Sequence, residues 1–404
     1  MEQTDSRVVI TGLGIVSSLG YSIEAFWENL LLGKLMVKET KRFDPKPYRS
    51  KITTDIDHEK IIEELSSEKN KTEYLNTGAK LGLVACRQAI KNANLTDNNR
   101  YEEAGISLGS TSGGDIEEYL EHVYQGKKMG KGIIKKSPFF MSMTNIAESL
   151  KLRGPACNIS SACTSSAVSI GFAYQLVKCS QAKIMLAGGC DVLQESIFAG
   201  FNSLRVVAGE KCLPFSIHRK GILIGDGAAI LTIEEMEHAL NRDAPILAEI
   251  MGFGMSCDAF HVTQPHYQGS VMAMSSSIEE AAIQKDDIQY INCHGTGTLL
   301  GDKTEATALD LTFGENLSNI YATSTKSSLG HLLGTSGAVE ALITILAIKN
   351  AVVPPMMDLG PIDKAVKFKV VREKPLPIPI KNAMSNSFGF GGNNVSLIFS
   401  KFNQ

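Results

Sequence analysis

Apolar residues recur along this chain in short runs closed by glycine and small polar residues, a pattern of buried strands alternating with helices. Arg7-Val8-Val9-Ile10-Thr11 reads as a buried strand, and Gly12-Leu13-Gly14 predicts a tight turn after it. Residues 23–32 form an amphipathic helix whose Trp27, the only tryptophan, packs in the core. Residues 38–73 are charge-rich and predict surface loops and short helices. Residues 74–92 have helical spacing with small residues, as in a helix laid on a sheet. A short strand at 105–109 ends in the flexible polar loop Ser110-Thr111-Ser112-Gly113-Gly114. After a helix at about 144–150, residues 157–170 start as a strand edge, pass through small polar residues and become a helix at Ala167. Strands follow at 183–187, ending in Gly188-Gly189, and at 228–233 after Gly225-Asp226-Gly227.

The second half repeats the first. Ile10-Thr11-Gly12-Leu13-Gly14 aligns with Ile250-Met251-Gly252-Phe253-Gly254. The strand and polar loop at 105–114 match residues 290–298, and the strand–turn–helix around Cys163 matches 320–349. Gly225-Asp226-Gly227 and its strand match Gly391-Gly392 and the strand 394–399. Four matches in one order indicate a duplicated α/β unit, residues 1–243 and 244–404. Helices alternating with buried strands imply mostly parallel sheets, with corresponding loops meeting in one central site.

Composition narrows the class. With 404 residues, 43% of them apolar, and a formal charge of −3, the chain can bury a substantial core and is not built to coat nucleic acid. Met1 to Arg7 lacks the apolar core of a secretory signal, and no apolar run reaches membrane-spanning length. The eight cysteines show no CxxC pair or metal-ligand spacing, so reduced thiols in the cytoplasm are expected.

The candidate chemistry lies in the matching loops. Cys163 sits where a strand turns into a helix, so unpaired N–H groups and the helix dipole should lower its pKa and make it a nucleophile. The second half offers His294 in Asn292-Cys293-His294-Gly295-Thr296-Gly297-Thr298, and Lys326 and His331 in the run 324–334. Residues 386–393 look too glycine-rich for regular structure, and suit a hinge or a loop that brings a backbone N–H to a ligand.

Ala162-Cys163-Thr164-Ser165, His294-Gly295-Thr296, Lys326-Ser327, Gly330-His331-Leu332-Leu333-Gly334 and the run 386–392 together resemble the β-ketoacyl-acyl-carrier-protein synthases, most closely the type II elongating branch with a Cys-His-His set. The resemblance runs from Arg7 to Phe399. It implies the thiolase-like fold, an α/β architecture of five layers (α-β-α-β-α) from two duplicated halves, and decarboxylative Claisen condensation. Cys163 would carry the acyl chain, and His294 and His331 would stabilise the malonyl-derived enolate. Lys326 would orient the histidines, paired with Glu340. The N–H groups of Cys163 and Phe390 would form an oxyanion hole, with Phe390 also a gate. By the same resemblance Thr296, Thr298 and Thr263 would hold the phosphopantetheine arm, and Lys135, Lys136 and Arg205, two of them in the basic run 127–136, would meet an acidic carrier protein. Asn292, Glu340, Ser385 and Asn386 match a structural monovalent-cation site, for Na⁺ or K⁺; no other cofactor is implied, since phosphopantetheine arrives on the carrier. The partner set is the acyl carrier protein and either a second copy or a chain-length-factor-like subunit, with no nucleic acid and no membrane.

The chain departs from the family pattern at Ser18, Ser166, Ser216, Gly297, Leu299, Ser327-Ser328-Leu329 and Asn393. Several of these are expected to line the acyl or pantetheine pocket, which favours a specialised polyketide or polyene ketosynthase over housekeeping fatty-acid elongation. A degradative thiolase would need a second cysteine where Phe388 to Gly392 stands. A non-catalytic chain-length subunit would lack Cys163.

Overall fold

The computed structural model describes residues 6–66, 72–96, 101–128 and 130–403, with the side chains of Lys131 and Lys135 left out. Among the described residues, eleven strands form one continuous ladder. In chain order they are β1 (Val8–Val16), β2 (Gly105–Gly109), β3 (Ala156–Ile159), β4 (Ile184–Asp191), β5 (Gly227–Glu235), β6 (Ala248–Cys257), β7 (Tyr290–Asn292), β8 (Tyr321–Thr323), β9 (Lys369–Val370), β10 (Asn382–Phe388) and β11 (Asn393–Ser400). The helices that carry the argument are α1 (Thr77–Asn92), α2 (Ser165–Lys178), α3 (Tyr267–Glu280), α4 (Leu299–Phe313) and α5 (Ser336–Asn350).

The ladder is two sheets meeting edge to edge. Outward from the junction the first runs β1-β5-β4-β2-β3, and the second β6-β11-β10-β7-β8-β9. With the two-residue edge strand β9 set aside, the first, fifth, fourth, second and third strands of each half follow one another in both. The halves join where Val8, Val9 and Ile10 pair with Ile250, Glu249 and Ala248. The sheets are mixed rather than mostly parallel. The outer pairings (β4-β2-β3 and β10-β7-β8-β9) are parallel, and the inner ones are antiparallel. Each half ends in a strand that folds back antiparallel beside its first strand, a pairing that alternation of helix and strand does not reveal.

Gly12 and Gly14 lie inside β1, not in a turn after it. A Cβ on Gly12 would stand 2.1 Å from the Ala89 carbonyl oxygen of α1, and one on Gly14 would stand 1.9 Å from that of Ala85. The second half repeats this. Gly252 and Gly254 of β6 face the Ser277 and Ala273 carbonyls of α3 at 2.2 and 1.9 Å. The Gly-x-Gly pairs therefore seat an outer helix against each sheet's first strand, where any side chain would collide.

α2 and α5 form the middle layer, packed on each other and against strands of both sheets. Every α5 residue from Ser336 to Ile348 is buried. A helix covered on all sides has no polar stripe, which explains why its sequence shows little periodicity. With α1 on one outer face and α3 and α4 on the other, the layers alternate α-β-α-β-α, the thiolase-like arrangement.

Candidate active site

The loops after the third strand of each half meet at the middle layer. β3 ends at Ile159, and the chain reaches Cys163 through Ala162, whose φ of 48° is left-handed, an unfavourable conformation for a residue with a Cβ. Ser165 Oγ accepts from Ser161 N–H (2.9 Å) and donates to the Ala162 carbonyl (2.6 Å), fixing the elbow. α2 begins at Ser165, two residues earlier than the sequence pattern indicates. Cys163 is 8% exposed.

That burial reverses the expected pKa shift. Loss of solvent pushes the Cys163 thiol up to about 11, although the Phe390 N–H, the Lys326 charge and the Cys163 N–H itself favour the thiolate. The two N–H groups and the Lys326 charge act in the expected direction, but by less than the desolvation. A direct consequence is testable with a small electrophile. The rate of Cys163 alkylation by iodoacetamide should rise about tenfold per pH unit from pH 7 to 10, following the thiolate fraction. A plateau near pH 8, read by intact-protein mass spectrometry, would contradict it.

The second half supplies the histidines. His294 follows β7, held by α4: Glu305 Oε1 and Oε2 accept from the N–H groups of His294 (2.8 Å) and Gly295 (2.7 Å). Asp302, one turn earlier, accepts from Gly297 N–H (2.9 Å) and Phe215 N–H (2.6 Å). Thr298 caps α4 through Gly301 N–H (3.1 Å), and its hydroxyl lies 3.0 Å from that of Thr296. His331 is threaded into the first half: its N–H donates to the Leu223 carbonyl (2.7 Å) and its carbonyl accepts from Gly225 N–H (3.0 Å).

Lys326 lies behind the histidines, 1% exposed. Its ammonium donates to the His294 carbonyl (2.6 Å), to Glu340 Oε1 and, at 3.4 Å, toward His294 Nδ1. His331 Nδ1 accepts from Leu333 N–H (3.0 Å). Each Nδ1 thus faces a donor, which places the ring proton on Nε2. Burial first, and then the Lys326 charge, hold both imidazoles well below the usual histidine range. Both are neutral at pH 7, each with one Nε2–H to donate. The rings stand edge to face, centroids 5.4 Å apart. Burial raises the Glu340 carboxyl, and Lys326 opposes that shift.

Cys163, His294 and His331 line one cavity of about 340 Å³ with Phe388 and Phe390. Thr296, Thr298 and Thr263 line its wall, and exposed Arg205, Lys220, Val262 and Leu299 its mouth. Phe390 stacks on Phe201 at 5.8 Å and 24°. The glycine-rich segment is more regular than its composition suggests. Asn386 to Phe388 finish β10, Asn393 opens β11, and only Gly389 to Gly392 turn between them, Gly391 at φ 80° and Gly392 at φ 76°. Gly391 N–H donates to the Val262 carbonyl (2.7 Å), which ties the turn to the cavity wall.

Other expectations shift. Ser166 does not line the cavity. It is fully buried between α2 and α5, where its hydroxyl accepts from Ala338 N–H (2.8 Å). Ser327 and Ser328 are likewise buried away from it, and of the departures named above only Leu299, at the mouth, borders the cavity. Lys136 is on the helix Lys131–Lys136, apart from the residues that line the cavity, and the Lys135 side chain lies outside what the structure describes. The loop Ser110 to Ser112 is pinned rather than free: buried Asp191 accepts from Ser110 Oγ (2.7 Å) and from the Thr111 and Ser112 N–H groups (both 2.8 Å). Asp191, Asp302 and Glu305 support the loops of the site and were not singled out from sequence. The signal for the α4 pair was a three-residue spacing directly after the His294 loop.

Asn292 Oδ1, Glu340 Oε2 and Asn386 Oδ1 are buried oxygens with no hydrogen-bond partner, and Asn292 is in register with Ser385. Buried carbonyl and carboxylate oxygens without partners are the ligand type that a hard monovalent cation takes.

Residues 5–239 match the family described as "Beta-ketoacyl synthase, N-terminal domain", and residues 247–359 the corresponding C-terminal domain. The chain belongs to the β-ketoacyl synthase family. The synthase is 34% identical to 3-oxoacyl-[acyl-carrier-protein] synthase 2 of Staphylococcus aureus strain COL (98% of this chain, 99% of the relative). It is 35% identical to the protein of that name from Coxiella burnetii (98% of each). Among solved structures it resembles the ishigamide ketosynthase/chain length factor, with TM-score 0.91 and 28% identity over 99% of this chain and 100% of the other. A β-ketoacyl synthase from Burkholderia phymatum gives 0.90 and 30% over 98% and 100%. A type II polyketide ketosynthase bound to its acyl carrier protein and a hexaketide gives 0.87 and 25% over 99% and 100%. The synthase is a condensing acyltransferase. Among its described residues no helix is long and apolar enough to cross a membrane.

Proposed function

We propose that the synthase elongates carrier-protein-bound acyl chains, with Cys163 as the acyl acceptor and His294 and His331 as the enolate-stabilising pair. The observation that carries this is the pair of neutral Nε2–H donors beside a buried thiol, both fixed by Lys326 and the backbone. The Cys163 sulfur attacks the acyl thioester of the phosphopantetheine arm, and the thiol proton ends on the departing arm sulfur. The Phe390 and Cys163 N–H groups receive the oxyanion. Malonyl-carrier protein then enters. Loss of CO₂ leaves the C–C bond pair as an enolate whose oxygen accepts from the two imidazoles. Its carbon attacks the Cys163 thioester and expels the thiolate, giving the β-ketoacyl-carrier protein. Cationic imidazoles would pull a proton onto the enolate carbon, and burial beside Lys326 prevents that state. Lys326 and Glu340 act as positioning residues.

Thr296, Thr298 and Thr263 would bind the arm. Arg205 and the apolar rim at Val262 and Leu299 would meet the carrier. The unpaired outer edge of β3 suits a dimer, with a second copy or with a chain-length-factor-like subunit. The site does not suit a degradative thiolase, because phenylalanines and glycines occupy residues 388–392 where that chemistry needs a cysteine. Incubation with acyl-carrier protein should add one acyl mass to the Cys163 peptide, discharged by malonyl-carrier protein into a product two carbons longer. Discharge without extension would overturn the reading. The product length separates fatty-acid from polyketide primers.

Asn292, Glu340, Ser385 and Asn386 would hold Na⁺ or K⁺, which would supply a fixed positive charge against the Glu340 carboxylate and brace β7, β10 and α5. Replacing choline chloride by KCl or NaCl at equal ionic strength should raise Tm by about 2 °C or more. Equal melting in all three salts would exclude the site.

A further inference from the structure

The placement of the His331 ring proton depends on the short turn Leu333–Thr335, and that turn is held from the other half of the chain. His331 Nδ1 faces two groups, the Leu333 N–H and the Ser336 hydroxyl, each at 3.0 Å. They are not equivalent. A hydroxyl donates to a bare Nδ1 or accepts from an Nδ1–H, so Ser336 suits either neutral form of the ring. A backbone N–H only donates. The Leu333 N–H is therefore the group that excludes the Nδ1–H form and leaves the proton on Nε2.

Leu333 presents that N–H from a strained backbone. Its φ is 54°, left-handed, which is unfavourable for a residue with a Cβ and persists only where the surroundings over-determine it. Its side chain, 2% exposed, belongs to the buried cluster of Leu193, Phe198 and Ile224. The next residue, Gly334, donates its N–H to Thr111 Oγ1 at 3.3 Å. A Cβ on Gly334 would stand 2.7 Å from Asp191 Oδ2 and 3.0 Å from the Thr111 nitrogen, so the turn lies directly on the loop after β2. Thr111 is fixed at two points. Its N–H donates to Asp191 Oδ1 (2.8 Å) and its hydroxyl to Asp191 Oδ2 (3.1 Å). With the hydroxyl proton spent on Asp191, Thr111 Oγ1 offers Gly334 lone pairs alone, which is what an N–H needs. This loop is the first-half counterpart of the one that carries His294, residues 105–114 matching 290–298. One copy of the repeated loop supplies a histidine, and the other steadies the second histidine.

We propose that Thr111 is a positioning residue for His331: its hydroxyl holds Gly334, and through it the Leu333 N–H that keeps the imidazole proton on Nε2. This positioning deepens the proposed function. The catalytic weight of the Nε2 proton rests on that reading, whereas its place on the ring does not.

Thr111→Val removes the hydroxyl and keeps the shape, and Thr111→Ser keeps the hydroxyl. Both retain the backbone N–H bonded to Asp191, so the loop survives either exchange. Nitrogen NMR of the full chain carrying isotope-labelled histidine distinguishes a protonated ring nitrogen from a bare one, and the signal lost in His331→Gln identifies His331. Wild type and Thr111→Ser should show the Nε2–H form, and Thr111→Val a mixture with the Nδ1–H form. CO₂ release from malonyl-carrier protein should fall about five- to tenfold in Thr111→Val, the worth of one hydrogen bond, and stay within about twofold in Thr111→Ser. Acylation of Cys163 should stay within about twofold in both, because the oxyanion hole proposed for it is made of backbone N–H groups. A ring proton that stays on Nε2 in Thr111→Val, or CO₂ release that falls equally in Thr111→Ser and Thr111→Val, would overturn the proposal. A displaced proton with unchanged CO₂ release would confirm the positioning and remove His331 from the enolate instead.

Discussion

Cys163→Ala should lower condensation by about 10⁴-fold or more, because Cys163 is the proposed acyl carrier and, among the described residues, the only cysteine lining the cavity. The side chain is small and buried beside Thr164 and the Gly389 turn, so removing its sulfur leaves the elbow and α2 in place. Release of CO₂ from malonyl-carrier protein should persist, since the groups assigned to the enolate are untouched. The two readouts, β-ketoacyl product by mass spectrometry and CO₂ by radiolabel, must therefore separate. Product formation near the wild-type rate would remove Cys163 from the mechanism.

His294→Ala makes the complementary separation. Its Nε2–H is one of two donors assigned to the enolate oxygen, and loss of a single such donor in a water-excluded site costs roughly 10²–10³ in rate. Decarboxylation should fall by that factor, while acylation of Cys163 stays within about tenfold, because the oxyanion hole proposed for acyl transfer is made of backbone N–H groups instead. Mass spectrometry of the acylated Cys163 peptide against CO₂ release gives both numbers from one preparation. Equal loss of the two would show that the histidine serves a single shared step.

How much of this was legible in the sequence depends on which force sets each feature. Cys163, His294, Lys326 and His331 stood out because each lies in a short loop of small residues, and such loops follow strands that periodicity marks clearly. Gly12-Leu13-Gly14 was misread because glycine serves both turns and close packing, and only the position of α1 decides between them. The elevated Cys163 pKa was hidden for a related reason. The helix terminus is local and visible, whereas the burial that outweighs it comes from residues hundreds of positions away. Ser166 shows the same limit: three residues from the candidate nucleophile in sequence, it turns the other way and joins α2 to α5. Asp191, which anchors the loop at Ser110 to Ser112 from about eighty residues away, had no local signal at all.

The middle layer has a further consequence for how the chain acquires its shape. α2 belongs to the first half and α5 to the second, yet each needs both sheets to cover it. A separated half would uncover its middle helix and lose the backbone bonds that cross the junction, at Val8 to Ile10 and at His331. Neither half is an autonomous folding unit, despite the repeated topology. Refolding should be one cooperative event with long-range closure as its slow step, and a nascent first half leaving the ribosome must wait, sticky along α2, for the second to arrive.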